Sequence, residues 1–140
     1  MSVKLNAAEL NAFMAAEFPQ VAAQFDVERV SDMAAQVRLK VADMHLRPGG
    51  TVSGPSMFSL ADLSMYAVTL AMIGPVALTV TTNCSIDFMR KPVAGADLIG
   101  SARLLKLGRT LAVGDVLMRS EGSDDVVARA SLTYAIPPAR

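Results

Sequence analysis

The chain has 140 residues, with 13 Lys plus Arg against 13 Asp plus Glu, 52% hydrophobic and 19% charged side chains, one His, one Cys and no Trp. That length suits a single domain over 1–140, large enough to bury roughly 68–70% of its unfolded surface without disulfides or a structural metal. Zero net charge and the lack of a basic run exclude a long-range field for nucleic acid or an anionic membrane, and one Cys with one His makes neither a Cys/His zinc site nor an intrachain disulfide.

In chain order, Met1-Ser2-Val3-Lys4-Leu5-Asn6 lacks the charged lead and apolar core of a signal peptide, and the single Cys suits a reducing, cytoplasmic compartment. Asn6 with Glu9 three residues later forms a capping box, and Leu10, Phe13, Met14 and Phe18 follow at helical spacing, which predicts a helix over about 7–17. A short helical turn is expected from Pro19 to Gln24. From Met33 to Val41 apolar and polar residues alternate, the pattern of a half-buried strand, with Asp26 to Val30 as its hairpin partner.

Three Gly and two Pro between Leu46 and Pro55 mark a loop, with Ser53 placed to cap the helix that follows over about 54–73. That helix is apolar on nearly every side and is therefore expected in the core. From Leu63 to Ile86 no residue is charged, but Gly74-Pro75 interrupts the run and its second half alternates, which excludes a membrane span. The alternation predicts a strand of about 13 residues from Val76 to Phe88, with Cys84 on the face of Val80, Thr82 and Ile86. Strands at about 97–107, 110–121 and 125–136 complete a run of four antiparallel strands. The predicted class is α+β, with five or six antiparallel strands wrapped around one long helix.

Between Arg47 and Asp87 the sole charged side chain is Asp62, inside the apolar helix. Phe58 and Tyr66 lie one turn either side of it, and apolar surroundings would raise a carboxylate's pKa towards general-base use. The placement suits equally a structural carboxylate held by backbone donors. Cys84 reads as a packed, inert thiol and His45 as a surface or structural histidine. Met57, Met65 and Met72 read as core, with an acyl channel as the alternative.

The stretch Arg47-Pro-Gly-Gly50-Thr-Val-Ser53-Gly54-Pro55-Ser-Met-Phe-Ser-Leu60-Ala61-Asp62, followed by Ile86-Asp87-Phe88-Met89-Arg90-Lys91-Pro92, resembles the hotdog-fold acyl-CoA thioesterases of the phenylacetate-pathway (PaaI-like) and 4-hydroxybenzoyl-CoA type. Leu107-Gly108-Arg109 and Val127-Ala128-Arg129-Ala130 extend the likeness to about 90 residues. The resemblance implies a hotdog fold. It also implies hydrolysis of an acyl-CoA thioester, with Asp62 as general base or nucleophile and the Gly54 N–H polarising the thioester carbonyl. Coenzyme A enters as part of the substrate, and no separate cofactor or metal is implied. Arg90, Lys91 and Arg109 would lie near the coenzyme A nucleotide, and the subunits would form homodimers, often dimers of dimers, with the active site at the interface.

Ser53 stands where most members of that family have His, Arg47 where many have Asn or Gln, and Pro55 replaces a Gly. Ser53 and Arg47 are expected to orient water or the carbonyl, although Ser53 cannot protonate a leaving thiolate. A non-hydrolytic acyl-CoA binding protein is the alternative that the missing His suggests. A dehydratase or isomerase ranks below it, because it would need a positioned His and His45 lies outside the motif.

Overall fold

A computed structural model describes residues 2–138; Met1 and residues 139–140, the ends of the expected 1–140 domain, lie outside the described residues. Helix α1 spans Ala7–Glu17 and opens with the expected reciprocal cap: the Glu9 N–H donates to Asn6 Oδ1 at 2.9 Å and the Asn6 N–H to Glu9 Oε1 at 3.0 Å. Phe18 and Pro19 turn the chain into a second, one-turn helix, α2, at Pro19–Ala22. The hairpin then forms as β1, Phe25–Ser31, and β2, Ala34–Leu39, before a 3-10 turn at Asp43–His45.

The long helix, α3, spans Gly54–Ile73 and rises about 30 Å at 1.5 Å per residue. Gly74, at φ +100°, stops it by taking a left-handed conformation that a side chain would strain. Four strands follow: β3 at Val80–Phe88, β4 at Leu98–Leu107, β5 at Leu111–Ser120 and β6 at Val126–Ala135. All six strands form one sheet in the order β1-β2-β4-β5-β6-β3, antiparallel at every pairing. This is the α+β hotdog arrangement that the sequence predicts.

Two details differ from the sequence reading. The four later strands are not a continuous meander: β4, β5 and β6 run as hairpins, but β3 crosses to the far edge and pairs with β6, while β4 pairs with β2. That crossing lets the sheet curl around α3. The strand expected from Val76 begins only at Val80, because Val76–Thr79 forms turns in which the Val76 N–H reaches Gly74 O at 2.8 Å and the Thr79 N–H reaches Val76 O at 3.1 Å. Alternating apolar residues after Gly-Pro imitate a strand without forming one.

The core lies between the concave sheet face and α3. Leu60, Met65, Val68 and Leu70 of the helix are fully buried, as are Val37, Leu39, Leu98, Val116, Met118 and Leu132 of the sheet. Each such side chain contributes about 1.5–3 kcal/mol through removal from water. Helix and sheet approach closely at Gly114, where a Cβ would lie 2.5 Å from Arg103 O and 3.0 Å from Met65 Sδ. Helix α3 is the one helix among the described residues long and apolar enough to cross a membrane, and two thirds of that stretch is buried inside this core.

Candidate active site

The entry to α3 is built so that one backbone donor stays open. Ser53 is the N-cap: its Oγ accepts from the Ser56 N–H at 3.3 Å and donates to Ser56 Oγ at 3.0 Å, while its own N–H binds His45 O at 2.8 Å. Pro55 has no N–H, and the Met57 N–H closes on Ser53 O at 3.0 Å. Among the described residues, the Gly54 N–H is thus the donor of the first turn without a protein partner, at the positive end of a 20-residue helix. The Phe88 ring packs against Gly54, 3.4 Å from where a Cβ would sit.

Gly54 opens into a cleft of about 400 Å³ shared with Arg47, Phe88, Met89, Arg90 and Lys91. Three cations and no carboxylate line it, which suits phosphate oxygens. Arg90 also pairs with Asp125 at 3.4 Å, both side chains being exposed. Arg109 is not brought here; it lies on the β4–β5 turn in a separate cavity of about 640 Å³ with Ile73, Leu78 and Ile136.

Asp62 lies two turns further along α3, half-buried, in a second cavity of about 460 Å³ walled by Phe18, Val21, Leu63, Tyr66 and Val80. The surroundings are more polar than the helical neighbours suggest. Thr81 Oγ1 donates to Asp62 Oδ1 at 2.5 Å, and Tyr134 OH lies 2.6 Å from the same oxygen and 2.8 Å from the Asp62 main-chain O. Both side-chain donors meet Oδ1. Burial, followed by the Asp62 charge, pushes the Tyr134 phenol far above its ordinary pKa, so it acts as a proton-bearing donor.

Sequence reading missed Thr81 and Tyr134. A β-bulge between Thr81 and Asn83 shifts the alternation, so that Thr81 and Cys84, three residues apart, both face inward. Strict alternation puts Thr81 with Asn83 and Ser85 on the other face, and the bulge redirects its hydroxyl to Asp62. Tyr134 was visible only as an inward residue of the last strand. An aromatic hydroxyl in an otherwise apolar strand face is a signal that a buried acceptor waits opposite, because a buried phenol needs a partner.

His45 is buried rather than on the surface. Its Nδ1 accepts from the Ala42 N–H at 2.8 Å and its Nε2 meets Gln24 Oε1 at 2.9 Å, so neither ring nitrogen is left for chemistry. Cys84 is half-buried, and burial with the Asp62 charge raises its pKa, which keeps it a protonated thiol. Met57, Met65 and Met72 are buried in the core. No cluster of metal-ligating side chains occurs among the described residues.

A family description, the thioesterase superfamily, matches residues 49–134, from the loop before α3 to Tyr134. The chain belongs to the thioesterase superfamily. A candidate thioesterase from Silicibacter sp. TM1040 is similar over 99% of this thioesterase and 96% of its own chain, at 55% identity and TM-score 0.92. A mutant form of the phenylacetic acid degradation protein PaaI from Thermus thermophilus is 28% identical over 85% of this thioesterase and 99% of its own chain, with TM-score 0.73. A Streptococcus mutans UA159 protein bound to acetyl-CoA is 27% identical over 83% and 90%, with TM-score 0.71. No curated protein matches this thioesterase significantly.

Proposed function

We propose that this thioesterase hydrolyses an acyl-CoA thioester, with Asp62 as general base or nucleophile and the Gly54 N–H as the donor that stabilises the developing oxyanion. The observation that carries the reading is the fixed Asp62 carboxylate: two hydroxyls from different strands hold one of its oxygens in a cavity with apolar walls. As a general base Asp62 takes a proton from water as the oxygen adds to the thioester carbon. The tetrahedral oxyanion then collapses, the C–S electron pair leaves on the coenzyme A sulfur as a thiolate, and the proton held by Asp62 passes to that thiolate to give the free acid and thiol. A free N–H at a helix N-terminus is a preorganised partner for that oxyanion, contributing about 2.7–4 kcal/mol in comparable sites. Ser53 acts through the cap, by holding the turn that presents Gly54.

The three-cation cleft at Arg47, Arg90 and Lys91 supports coenzyme A as the carrier, because it sets phosphate-binding groups beside the oxyanion donor. The acetyl-CoA bound by the Streptococcus mutans protein supports the same carrier. Arg109, in its separate cavity, has no part in this cleft.

The site is shared between two copies of the chain. Gly54 and Asp62 are eight residues apart on α3, about 12 Å along the axis, and line cavities with no residue in common. One thioester must sit about 3 Å from both the nucleophile and the oxyanion donor, so Gly54 of one copy works with Asp62 of the other. Edge strand β3 offers the seam: it carries no charge before Asp87, and Val80 and Phe88 are 53% and 54% exposed. Pairing β3 with β3 gives a homodimer, alone or within a dimer of dimers.

The test is free-thiol release from short, long and aryl acyl-CoA esters by wild type and Asp62→Asn. The expected result is turnover that falls roughly 10²–10⁴-fold in the variant, the range for losing a catalytic acid–base group. Equal turnover would overturn the Asp62 mechanism. Binding of acyl-CoA with no turnover by wild type would replace hydrolysis with non-hydrolytic binding, the reading that Ser53 in place of His suggests.

A further inference from the structure

We infer that Phe18, at the junction of α1 and α2, and Val21, within α2, together a hook over the cavity, set which acyl groups the Asp62 cavity accepts. The inference rests on the acyl-CoA reading above and names the residues that select within it. Both side chains wall the cavity that holds Asp62, yet they lie outside residues 49–134, the span of the family match. Selectivity can therefore vary in this segment without touching the groups that do the chemistry.

A selective wall must be rigid, and this one is tied down at several points. Leu10 and Met14 anchor α1 in the core, and the Asn11 side chain bonds Val27 twice, accepting from its N–H at 2.9 Å and donating to its O at 3.0 Å. The Phe18 N–H closes α1 on Met14 O at 2.7 Å, and Phe18 O accepts from Val21 and Ala22 at 3.0 and 2.8 Å to start α2. Beyond the hook, Gln24 is clamped by His45 Nε2 at 2.9 Å and by the Lys40 N–H on its carbonyl at 2.8 Å. The one histidine of the chain thus serves the wall.

The Phe18 ring stands edge-on to Tyr66, centroids 5.6 Å apart and planes at 76°, and Tyr66 lies 6.2 Å from Tyr134. A row of aromatic rings therefore runs from the hook to the residue that holds Asp62. Phe18, Val21, Leu63 and Val80 present hydrocarbon to an entering acyl group. The polar groups of the same cavity are Asp62, the Thr81 and Tyr134 hydroxyls that hold it, the Tyr66 hydroxyl, and the Thr79 hydroxyl, which is buried without a partner among the described residues. The wall at the hook therefore suits an apolar part of the acyl group, limited in bulk. In such a pocket each methylene-sized change is worth roughly 10- to 200-fold in discrimination.

The experiment measures kcat/KM for straight-chain acyl-CoA esters from propionyl to lauroyl, and for benzoyl-CoA and phenylacetyl-CoA, in wild type, Phe18→Ala, Phe18→Leu and Val21→Phe. Affinities for the same esters are measured in an Asp62→Asn background. Phe18→Ala is expected to move the preference towards bulkier groups by at least 10-fold in the ratio of kcat/KM values, Phe18→Leu by less, and Val21→Phe in the opposite direction. Melting temperatures identify any variant that fails to fold, and Phe18→Leu keeps the core filled if Phe18→Ala does. Unchanged ratios, or an equal loss for every ester in folded variants, would overturn the inference. If wild type turns over no ester while the affinities shift as expected, hydrolysis fails and the selective wall stands; affinities indifferent to the acyl group would overturn the wall.

Discussion

Tyr134 and Asp62, 72 residues apart in sequence, are joined by one phenol oxygen that lies 2.6 Å from the carboxylate Oδ1 and 2.8 Å from the main-chain carbonyl of the same residue. The contact fixes the side chain of Asp62 relative to its own helix, and Thr81 holds Oδ1 from the neighbouring strand. Hydrogen bonds to charged groups contribute about 1.5–3 kcal/mol. Tyr134→Phe and Thr81→Val are each expected to lower kcat by about 10-fold or more with little change in KM. The double variant should lose less than the product of the two, because both act through one oxygen. Steady-state kinetics on the four proteins checks this; losses confined to KM would show that neither residue positions the carboxylate.

Much of this architecture was legible because its signals are local. Asn6 with Glu9, the apolar run between Gly54 and Ile73, and the hairpin turns at Gly108 and Gly122 each name their element without reference to the rest of the chain. The strand order was not, because nothing in Val80–Phe88 says that it pairs with β6 rather than β4; that choice belongs to the closure of the sheet around α3. The site shows the same division. Gly54 and Asp62 were readable from their motif, whereas Thr81 reaches Asp62 only because a bulge breaks the alternation on which strand reading depends. The grouping of Arg47 with Arg90 and Lys91, and the separation of Arg109 from them, arise from loops meeting in space.

Gly54→Pro isolates the backbone donor. Proline suits the first position of a helix, and Ser53, at φ −74° and ψ 157°, already has the extended conformation that precedes proline. The substitution removes one N–H and leaves the other bonds of the turn in place, although the ring adds carbon beside Phe88. The expected result is a fall in kcat of roughly 10²–10³-fold, the scale for losing one oxyanion donor, with a nearly unchanged melting temperature. A variant as active as wild type would remove Gly54 from the mechanism.

The tight approach of helix to sheet gives a stability prediction. At Gly114 an added Cβ would lie 2.5 Å from Arg103 O and 3.0 Å from Met65 Sδ. The sulfur end can move, but the carbonyl belongs to the paired strand β4 and cannot give without disturbing the ladder. Gly114→Ala is expected to cost about 1–3 kcal/mol, as overpacked cores do, whereas Gly122→Ala meets open space and suffers only from its φ of +83°. Urea midpoints at constant m-value measure both. Equal stability of Gly114→Ala and wild type would mean that the Arg103 carbonyl of β4 leaves room for a methyl group at Gly114.

High pH should weaken the fold through the tyrosines around Asp62. Burial, with the Glu17 charge, pushes Tyr66 up to about 12, and burial with the Asp62 charge and hydrogen bond raises Tyr134 further. An unfolded tyrosine loses its proton near pH 10. Above that pH the unfolded chain has released protons that the folded chain still holds. Stability therefore falls as pH rises, by about 1.4 kcal/mol per pH unit for each such group. The loss begins near pH 10, ends near pH 12 for Tyr66 and continues higher for Tyr134. Urea midpoints between pH 9 and 12 should therefore drop in wild type, and the slope should be shallower by one proton in Tyr134→Phe, whatever that variant's stability at neutral pH. Equal slopes in the two proteins would mean that the Tyr134 phenol ionises in the folded state as freely as in the unfolded one, which the contact with Asp62 forbids.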